Sequence, residues 1–398
     1  MDEKFGGYTL IEQIGIGGMA EVFLARRSSV AGFEKDIVIK RIRPHLTEQR
    51  SFVDMFLGEA KLAAQLSHPH IVQIYDLGRI QDSYFIAMEY IAGQDMSAII
   101  PKIKELGVPF PIEYALKIGS SGCEALHYAH NHTDNHGQPL HIVHRDVSPE
   151  NIRIAWTGAV KILDFGIAKA ATQVHETKAG EIKGKLCYMS PEQVLGKEVD
   201  CRSDIFALGC VLYEALTGFR LYSGNSDLDI MNQIVDSKIY PPSYFRDEIP
   251  KPVEGIIMKA LKKDRKKRYQ NASEMQMDID DFLGKHEFTP SNIHLANFLK
   301  QQFQAELASE QERRRSETPP RGLQGMRGGP PPPPDASGLY QSGHASGSRS
   351  KAGSARSGIA LELSVETQRQ LEEMARKKGQ SPEALARAIV EHYLKFQA

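Results

Sequence analysis

The chain has 398 residues, and its 49 lysines and arginines nearly balance its 50 aspartates and glutamates. This length allows more than one domain and a sizeable core, and the balanced charge argues against nucleic acid or membrane as a partner of the whole chain. The sequence contains no run of roughly 18 apolar residues, the length needed to span a bilayer. The four scattered cysteines are typical of reduced thiols. We therefore expect a cytoplasmic protein without a membrane partner.

The first functional pattern in chain order is the glycine-rich stretch "IGIGGMAEV". Glycines in a strand–turn–strand let the backbone approach phosphate oxygens closely, because no side chain intervenes. Alone this pattern is weak evidence, since an ordinary hairpin turn contains the same residue types. The candidate nucleotide-binding residues in this stretch are Ile14, Gly15, Gly17, Gly18, Ala20 and Val22, the last of which we expect to pack on a base.

Two further motifs follow the glycine loop. The strand "DIVIK" ends at Lys40, and the helical stretch "FLGEAKLAAQL" offers Glu59, which could hold Lys40 through an ion pair. The stretch "AMEYIAG" looks like a hinge that presents backbone groups to adenine from Glu89 to Ile91, with Met88 guarding a deeper pocket. Each motif alone has a simpler explanation, such as a surface ion pair between Lys40 and Glu59.

A third group of motifs begins at "HIVHRDVSPEN" and continues with "DFG", "YMSPE", "RSDIFALG" and "DRKKRYQNA". These motifs carry acidic, amide and basic side chains in a fixed order. An isolated acid such as the one in "DFG" could simply belong to a turn, but the ordered set is hard to explain by chance. The residues concerned are Asp146, Asn151, Asp164, Glu192, Asp204 and Arg268.

Together these motifs resemble those of bacterial protein kinases of the eukaryotic-like (Hanks) serine/threonine family. The phrases "VHRDVSPEN" and "GKLCYMSPEQ" are most similar to the myxobacterial members. The resemblance covers residues 8–283 and implies an α+β fold with two lobes, a small β-rich N-lobe and a larger helical C-lobe. It implies a signalling enzyme that transfers the γ-phosphate of ATP, with Mg²⁺, to serine and threonine hydroxyls of proteins, including its own.

The resemblance also implies roles for the motif residues. Asp146 would accept or orient the proton of the attacking hydroxyl, and Lys40, held by Glu59, would hold the phosphate tail. Asn151 and Asp164 would bind Mg²⁺, because hard oxygen ligands suit a hard cation. Phosphoryl transfer mainly asks a protein for positioning and charge neutralisation, which these residue types supply.

The catalytic loop departs from the family pattern at Ser148, where a lysine usually stands. Lys185 in turn occupies a position where the family usually has threonine. We hypothesise that Lys185 supplies the charge near the γ-phosphate, while Ser148 hydrogen-bonds to Lys185 or Asp146. The alternative is a solvated Lys185 and a slow enzyme. An inactive kinase is disfavoured because the other motif residues are present, and a tyrosine kinase is disfavoured because Glu150 replaces a characteristic arginine.

The resemblance suggests how the enzyme is regulated. Arg145 is expected to lack a partner until a phosphate arrives, and phosphorylation of Thr177 or Thr172 would provide one and order the loop. Thr177 is the first choice, with ordinary solvated threonines as the alternative. Arg268 is expected to pair with Glu192 and brace the end of this segment.

Six histidines between residues 127 and 144 raise the possibility of a metal site. The spacing of His127, His130 and His132 is the closest to a ligand set. The stretch "HNHTDNHGQPLH" is more typical of a turn-rich insertion, so we do not expect metal there. Cys187 could be sensitive to oxidation, although no neighbouring residue clearly lowers its pKa.

The remaining chain is predicted to form three segments. Residues 284–315 give a helix that docks on or extends the kinase domain, with Leu295, Leu299, Phe303 and Leu307 on one stripe. Residues 316–357 are rich in Pro, Gly, Ser and Arg and predict a disordered linker. Residues 358–398 resemble a ribbon-helix-helix module.

A ribbon-helix-helix module completes its core by pairing strands from two chains, so we expect a homodimer. DNA binding is possible but less expected, because Glu362 and Glu383 would face the phosphate backbone. Dimerisation would favour phosphorylation of one chain by its partner. The competing function is a DNA-bound scaffold that uses a kinase fold without catalysis.

Overall fold

The computed structural model describes residues 3–28, 34–165, 185–285 and 288–317, with Arg376 and Ser381 as isolated residues. For Glu59 and for residues 314–317 only the backbone is described. The chain divides into two compact units, Met1–Glu312 with Gln397–Ala398, and Arg313–Phe396. Almost all described residues belong to the first unit, so the predicted 358–398 module lies outside the described residues except for Arg376 and Ser381.

The N-terminal part is a six-stranded antiparallel sheet with strand order β1-β2-β3-β4-β6-β5. Helix α1, Arg50–Ala63, lies in the chain between β4 and β5. The strands are β1 Glu3–Phe5, β2 Tyr8–Ile16, β3 Ala20–Ser28, β4 Glu34–Ile42, β5 Ile74–Ile80 and β6 Ser83–Glu89.

The central strands of this sheet are buried on both faces. Side chains alternate along a strand, so Val38 of β4 joins the cluster that contains Phe56 of α1, whereas Ile37 and Ile39 join a separate cluster with Phe5. This arrangement explains why "DIVIK" reads as an almost continuous apolar run rather than an alternating one. It also fixes Lys40, which follows this run, within strand β4, two residues before the strand ends at Ile42.

A second, three-stranded sheet with order β7-β8-β9 follows the first. Its strands are β7 Gly93–Asp95, β8 Ile152–Ala155 and β9 Val160–Ile162. A Cβ at Gly93 would lie 2.0 Å from the Ile154 carbonyl oxygen, so only glycine permits this close approach. The sheet joins two distant parts of the sequence, the segment after β6 and the segment after "HRDVSPEN".

The C-terminal part is helical and contains the larger core. Helices α3 and α5 are buried almost throughout and form its centre. Helix α5 is capped at its N-terminus by Asp200, whose side chain accepts from the Arg202 amide, and at its C-terminus by Gly218 with φ +75°. The helices are α2 Met96–Glu105, α3 Ile112–His130, α4 Pro191–Val194, α5 Cys201–Thr217, α6 Asp227–Asp236, α7 Lys251–Ala260, α8 Ala272–Gly284, α9 Asn292–Gln302 and α10 Gln304–Glu317.

The structure confirms the predicted α+β architecture with a β-rich N-lobe and a helical C-lobe. Within the described ranges no helix is both long and apolar enough to cross a bilayer. The single helix expected near residue 300 is instead two helices, because Phe303 leaves helical geometry with ψ 44° and is buried in the large core near Trp156. Helix α10 continues to Glu317, beyond the predicted start of the linker at residue 316.

Candidate functional site

The glycine-rich stretch forms the β2–β3 hairpin. The Gly17 amide donates to the Ala20 carbonyl at 2.8 Å, and Gly15 lies opposite Val22 in the sheet register. A Cβ at Gly15 would lie 3.6 Å from Val22, an ordinary van der Waals distance, so Val22 packs beside the loop. Ala20 is buried, whereas the predicted contact residues Ile14, Gly17 and Gly18 are exposed and therefore accessible to a ligand.

Lys40 lies next to this hairpin, because it is paired with Val22 in the β3–β4 register. Its ammonium is 3.0 Å from Oδ1 of Asp164. Burial alone would raise the pKa of the Asp164 carboxyl, but the charges of Lys40 and then Lys185 outweigh it and hold that pKa below its usual value. Glu59 lies on α1, but its side chain is outside the described residues, so its predicted ion pair with Lys40 stays a prediction.

The catalytic-loop motif is held by the buried carboxylate of Asp204. Its two oxygens accept from the backbone amides of His144 and Arg145, each at 2.8 Å. Arg145 has φ +65°, a conformation that non-glycine residues rarely adopt and that persists when surrounding contacts enforce it. Among described residues no carboxylate forms an ion pair with the Arg145 guanidinium, and its predicted partners Thr177 and Thr172 lie outside the described residues.

His144 connects this loop to the "DFG" motif. Its Nε2 contacts the Leu163 carbonyl at 2.8 Å, and its Nδ1 accepts from the Asp146 amide at 3.2 Å. A ring that donates at Nε2 and accepts at Nδ1 is neutral. Burial lowers the pKa of His144 despite the nearby Asp204 charge, which agrees with this neutral state. The ring also lies 4.5 Å from that of Phe165, whereas Gly166 lies outside the described residues.

The two predicted magnesium ligands, Asn151 and Asp164, lie close together in the structure. The Asn151 side-chain amide donates to the Asp146 carbonyl at 2.7 Å and to Oδ2 of Asp146 at 3.0 Å. The Asn151 carbonyl accepts from the Leu163 amide at 2.9 Å, which places Asn151 beside Asp164. With its nitrogen bound to Asp146, Asn151 has its amide oxygen left to offer. One amide oxygen and the Asp164 carboxylate are ligand types that fit Mg²⁺.

Lys185 contacts the catalytic-loop acid directly. Its ammonium lies 3.0 Å from Oδ2 of Asp146, and the Lys185 side chain is 36 % exposed, less than expected for a solvated loop lysine. Burial by itself would lower the pKa of Lys185, but the Asp146 charge outweighs burial and raises it. Lys185 therefore places a positive charge beside Asp146, the acid that is expected to orient the substrate hydroxyl and accept its proton.

Ser148 does not make the hydrogen bond that we expected. Its side chain is 1 % exposed, and within the described part of the chain its hydroxyl has no hydrogen-bond partner. The expectation that it bonds Lys185 or Asp146 is therefore wrong in this structure. Ser148 precedes the short 3₁₀ helix Pro149–Asn151, and its extended backbone turns the hydroxyl into the protein interior.

The predicted hinge residues Glu89–Ile91 follow β6. Met88 is buried and lines a small cavity together with Asp164 and Phe165, in agreement with its predicted place before a deeper pocket. Glu89 pairs with Lys161 of β9 at 2.8 Å. Its amide donates to the Gln73 carbonyl at 2.8 Å, so this amide is already used.

Two residues that hold the hinge were not predicted from the sequence. Arg153 of β8 donates to the carbonyls of Ile91 and Gly93 at 2.7 and 2.8 Å and to Asp95 at 2.8 Å. Tyr90 donates to a carboxylate in the C-terminal helix α10, described below. The only local signal for Arg153 was a cation within the apolar strand sequence "NIRIA".

The stretch "YMSPE", which ends at Glu192, is braced as predicted. Arg268 makes a two-pronged ion pair with Glu192, with nitrogen–oxygen distances of 2.7 and 2.8 Å, and Ser203 donates to the same carboxylate at 2.6 Å. Burial would raise the pKa of Glu192, but Arg268 lowers it below its usual value. The prediction that Arg268 pairs with Glu192 is confirmed.

The histidine-rich segment is held by contacts within the protein. His130 lies 2.8 Å from Asp204, and His132 is near the Tyr128 ring. In the part of the chain that the structure describes, no three ligand-type side chains are grouped to hold a metal ion. Burial raises the pKa of the Cys187 thiol, which argues against the oxidation-sensitive thiolate considered from the sequence.

Comparison with known families gives a match over most of the described chain. A model of the protein kinase domain family matches residues 8–278. Among solved structures, the kinase domain of PknI from Mycobacterium tuberculosis superposes with a TM-score of 0.53 and 25 % identity, covering 70 % of this chain and 97 % of that one.

Curated relatives carry two kinds of name. The chain is 44 % identical to tyrosine-protein kinase MasK of Myxococcus xanthus over 78 % of this chain and 48 % of the relative. It is 39 % identical to serine/threonine-protein kinase PknB of Mycobacterium leprae over 68 % of this chain and 42 % of the relative. The chain thus spans about half the length of these curated relatives or less.

Proposed function

Because this chain belongs to the protein kinase domain family, we propose that it is a serine/threonine protein kinase that transfers the γ-phosphate of ATP to protein hydroxyls. The observation that carries the proposal is the position of Asp146, which contacts Asn151 at 3.0 Å and Lys185 at 3.0 Å. An acid at this junction can orient a hydroxyl while the neighbouring groups neutralise phosphate charge.

Each charged group has a distinct task in this proposal. Asp146 orients the substrate hydroxyl and receives its proton as the new oxygen–phosphorus bond forms and the bond to the ADP oxygen breaks. Lys40 and Lys185 place positive charge on the phosphates from two sides. Asn151 and Asp164 would hold Mg²⁺, which when bound neutralises phosphate charge.

Specificity for serine and threonine is supported by the loop residue Glu150, because tyrosine kinases typically have arginine at this position. The names PknB and MasK point in opposite directions, because MasK is named a tyrosine kinase. Tyrosine phosphorylation is therefore the second candidate. Acid hydrolysis of the phosphorylated protein followed by identification of phosphoserine, phosphothreonine and phosphotyrosine separates the two.

A catalytic role is tested against the non-enzymatic scaffold by incubation with labelled ATP and magnesium. We expect the wild-type chain to label itself or a general protein substrate, and Asp146→Asn to abolish labelling. Glu105→Gln, at an exposed end of α2, is a control that should label as the wild type does. If the wild-type chain binds DNA but labels neither itself nor the substrate, the scaffold is favoured.

The regulatory and cellular parts of the proposal rest on sequence. Autophosphorylation at Thr177, or at Thr172, would give Arg145 its partner, and phosphosite mapping of active protein tests this. We further propose a cytoplasmic enzyme of the myxobacterial type, supported by the relative from Myxococcus xanthus. A homodimer through residues 358–398, with DNA binding as the lesser alternative, completes the proposal.

A further inference from the structure

We propose that helix α10 is part of the nucleotide site, because Glu310 fixes the hinge through Tyr90. This inference rests on the proposed kinase function and adds a pair of positioning residues to it. Tyr90 and Glu310 are 220 positions apart in sequence, and their contact joins a C-terminal helix beyond the family match to the segment expected to bind adenine.

The contact is direct. The Tyr90 hydroxyl lies 2.9 Å from Oε2 and 3.2 Å from Oε1 of Glu310, so it donates to the carboxylate. Both side chains are half-buried. A hydroxyl that donates to a carboxylate forms a charge-assisted hydrogen bond, which is stronger than one between neutral groups.

Helix α10 is held so that Glu310 points to the hinge. Leu307 and Glu310 are three residues apart in α10 and therefore lie on one helix face. Phe303 immediately precedes the helix, and its carbonyl accepts from the Leu307 amide at 3.0 Å. Phe303 is 3 % exposed, and Leu307 packs against the large core. The neighbouring acids Glu306 and Glu312 are exposed. The apolar contacts thus set the helix in place, and the next inward position carries the carboxylate.

Helix α9 holds the same region at a second point. Gly158, in the β8–β9 turn, is so close to α9 that a Cβ there would lie 1.8 Å from the Asn292 carbonyl oxygen. The amide of Trp156, two residues before Gly158, donates to the Ala92 carbonyl at 2.8 Å. Ala92 directly follows the hinge, so α9 packs against the turn that leads from the residue bonded to the end of the hinge, whereas α10 contacts the hinge itself through Tyr90.

Tyr90 is well placed to position its neighbours. It lies between Glu89 and Ile91, whose backbone groups are expected to face adenine, and the planar peptide units on each side move with its Cα. Fixing the Tyr90 side chain therefore restricts the movement of both peptide groups. Loss of the anchor should weaken nucleotide binding and leave phosphoryl transfer from bound nucleotide unchanged, because Asp146 and Lys185 are elsewhere.

The test compares full-length variants by direct ATP binding and by steady-state kinetics. Tyr90→Phe removes only the hydroxyl, Glu310→Ala removes the carboxylate while favouring helix, and Glu312→Ala is the matched control on the same helix. We expect the first two to raise the ATP dissociation constant and KM by about three- to tenfold, the net contribution of one typical hydrogen bond. kcat and the control should stay at wild-type values, and Glu310→Gln, which keeps an acceptor oxygen, should lie between.

The double variant Tyr90→Phe/Glu310→Ala completes a thermodynamic cycle. If the contact is the cause, the double variant raises the ATP dissociation constant by the same factor as one single variant, and not by the product of the two factors. Wild-type affinity in the single variants, multiplicative effects in the double variant, or losses explained by the fraction of unfolded protein would overturn the inference and leave the proposed function intact. Failure of the wild-type chain to bind ATP would overturn both.

Discussion

The ammonium of Lys185 lies 3.0 Å from the Asp146 carboxylate, and the catalytic loop has Ser148 at the position where a lysine usually stands. This geometry makes Lys185 the group through which the chain can place charge at the transferred phosphate despite Ser148. The contact does not require the Ser148 hydroxyl, which is buried without a partner among the described residues.

The exchange of charge between the two loops is tested by turnover. We expect Lys185→Ala to lower kcat by about 100-fold or more, the scale for loss of one group that stabilises transition-state charge. Lys185→Thr should be similarly impaired, and adding Ser148→Lys to it should restore part of the loss. A Lys185→Ala enzyme that retains the wild-type rate would rule out the exchange.

The buried pair of Arg268 and Glu192 should dominate local stability. Arg268→Ala leaves a carboxylate buried without its cation, which costs roughly 3–5 kcal/mol in the free energy of unfolding. Arg265→Ala is the control, because that guanidinium is 31 % exposed and its pair with Asp200 contributes about 1 kcal/mol or less. Denaturant titration of both variants measures the difference, and equal losses would contradict the prediction.

Stability should fall in mild acid because of His144. Burial lowers the folded-state pKa of His144 below its ordinary value of 6.5, so below pH 6.5 the unfolded chain takes up a proton that the folded chain refuses. The contribution is fully present above pH 6.5 and is lost as the pH falls toward the folded-state pKa. The free energy of unfolding, measured across this range, should decline more steeply in the wild type than in His144→Gln.

An exposed histidine provides the control for this pH effect. His136→Gln should retain the wild-type pH dependence, because His136 is exposed. If His144→Gln and the wild type decline in parallel, another group is responsible for the acid sensitivity. Burial also lowers the pKa of His68, which is the first alternative to examine.

The oligomeric state tests the proposed role of the C-terminal segment. A chain that ends at Glu317 retains α10 and the Tyr90–Glu310 contact but lacks residues 358–398. We expect this shorter chain to have the mass of a monomer in solution, and the full-length protein to have the mass of a dimer. If both proteins contain the same number of chains per particle, dimerisation through that segment is refuted.

Local patterns predicted the catalytic loop and the strand of Lys40, because phosphate chemistry demands particular residue types at short, fixed spacings. They did not predict that Arg153 reaches Ile91 or that Tyr90 reaches Glu310. Such contacts depend on where remote segments meet, and neither has a periodic signal. The break at Phe303 was missed for a related reason, since the helical pattern continues through a residue that is neither glycine nor proline and only the core explains its conformation.

The backbone contact between Gly158 and Asn292 has a consequence for where this domain ends. The family match stops at residue 278. Removing the chain from there onward would also remove Leu295, Leu299 and Phe303, and would expose the part of the main core that they cover. A boundary drawn from sequence homology is therefore shorter than the cooperative folding unit. Truncated versions cut near that boundary should aggregate, whereas those that keep both C-terminal helices should remain monodisperse.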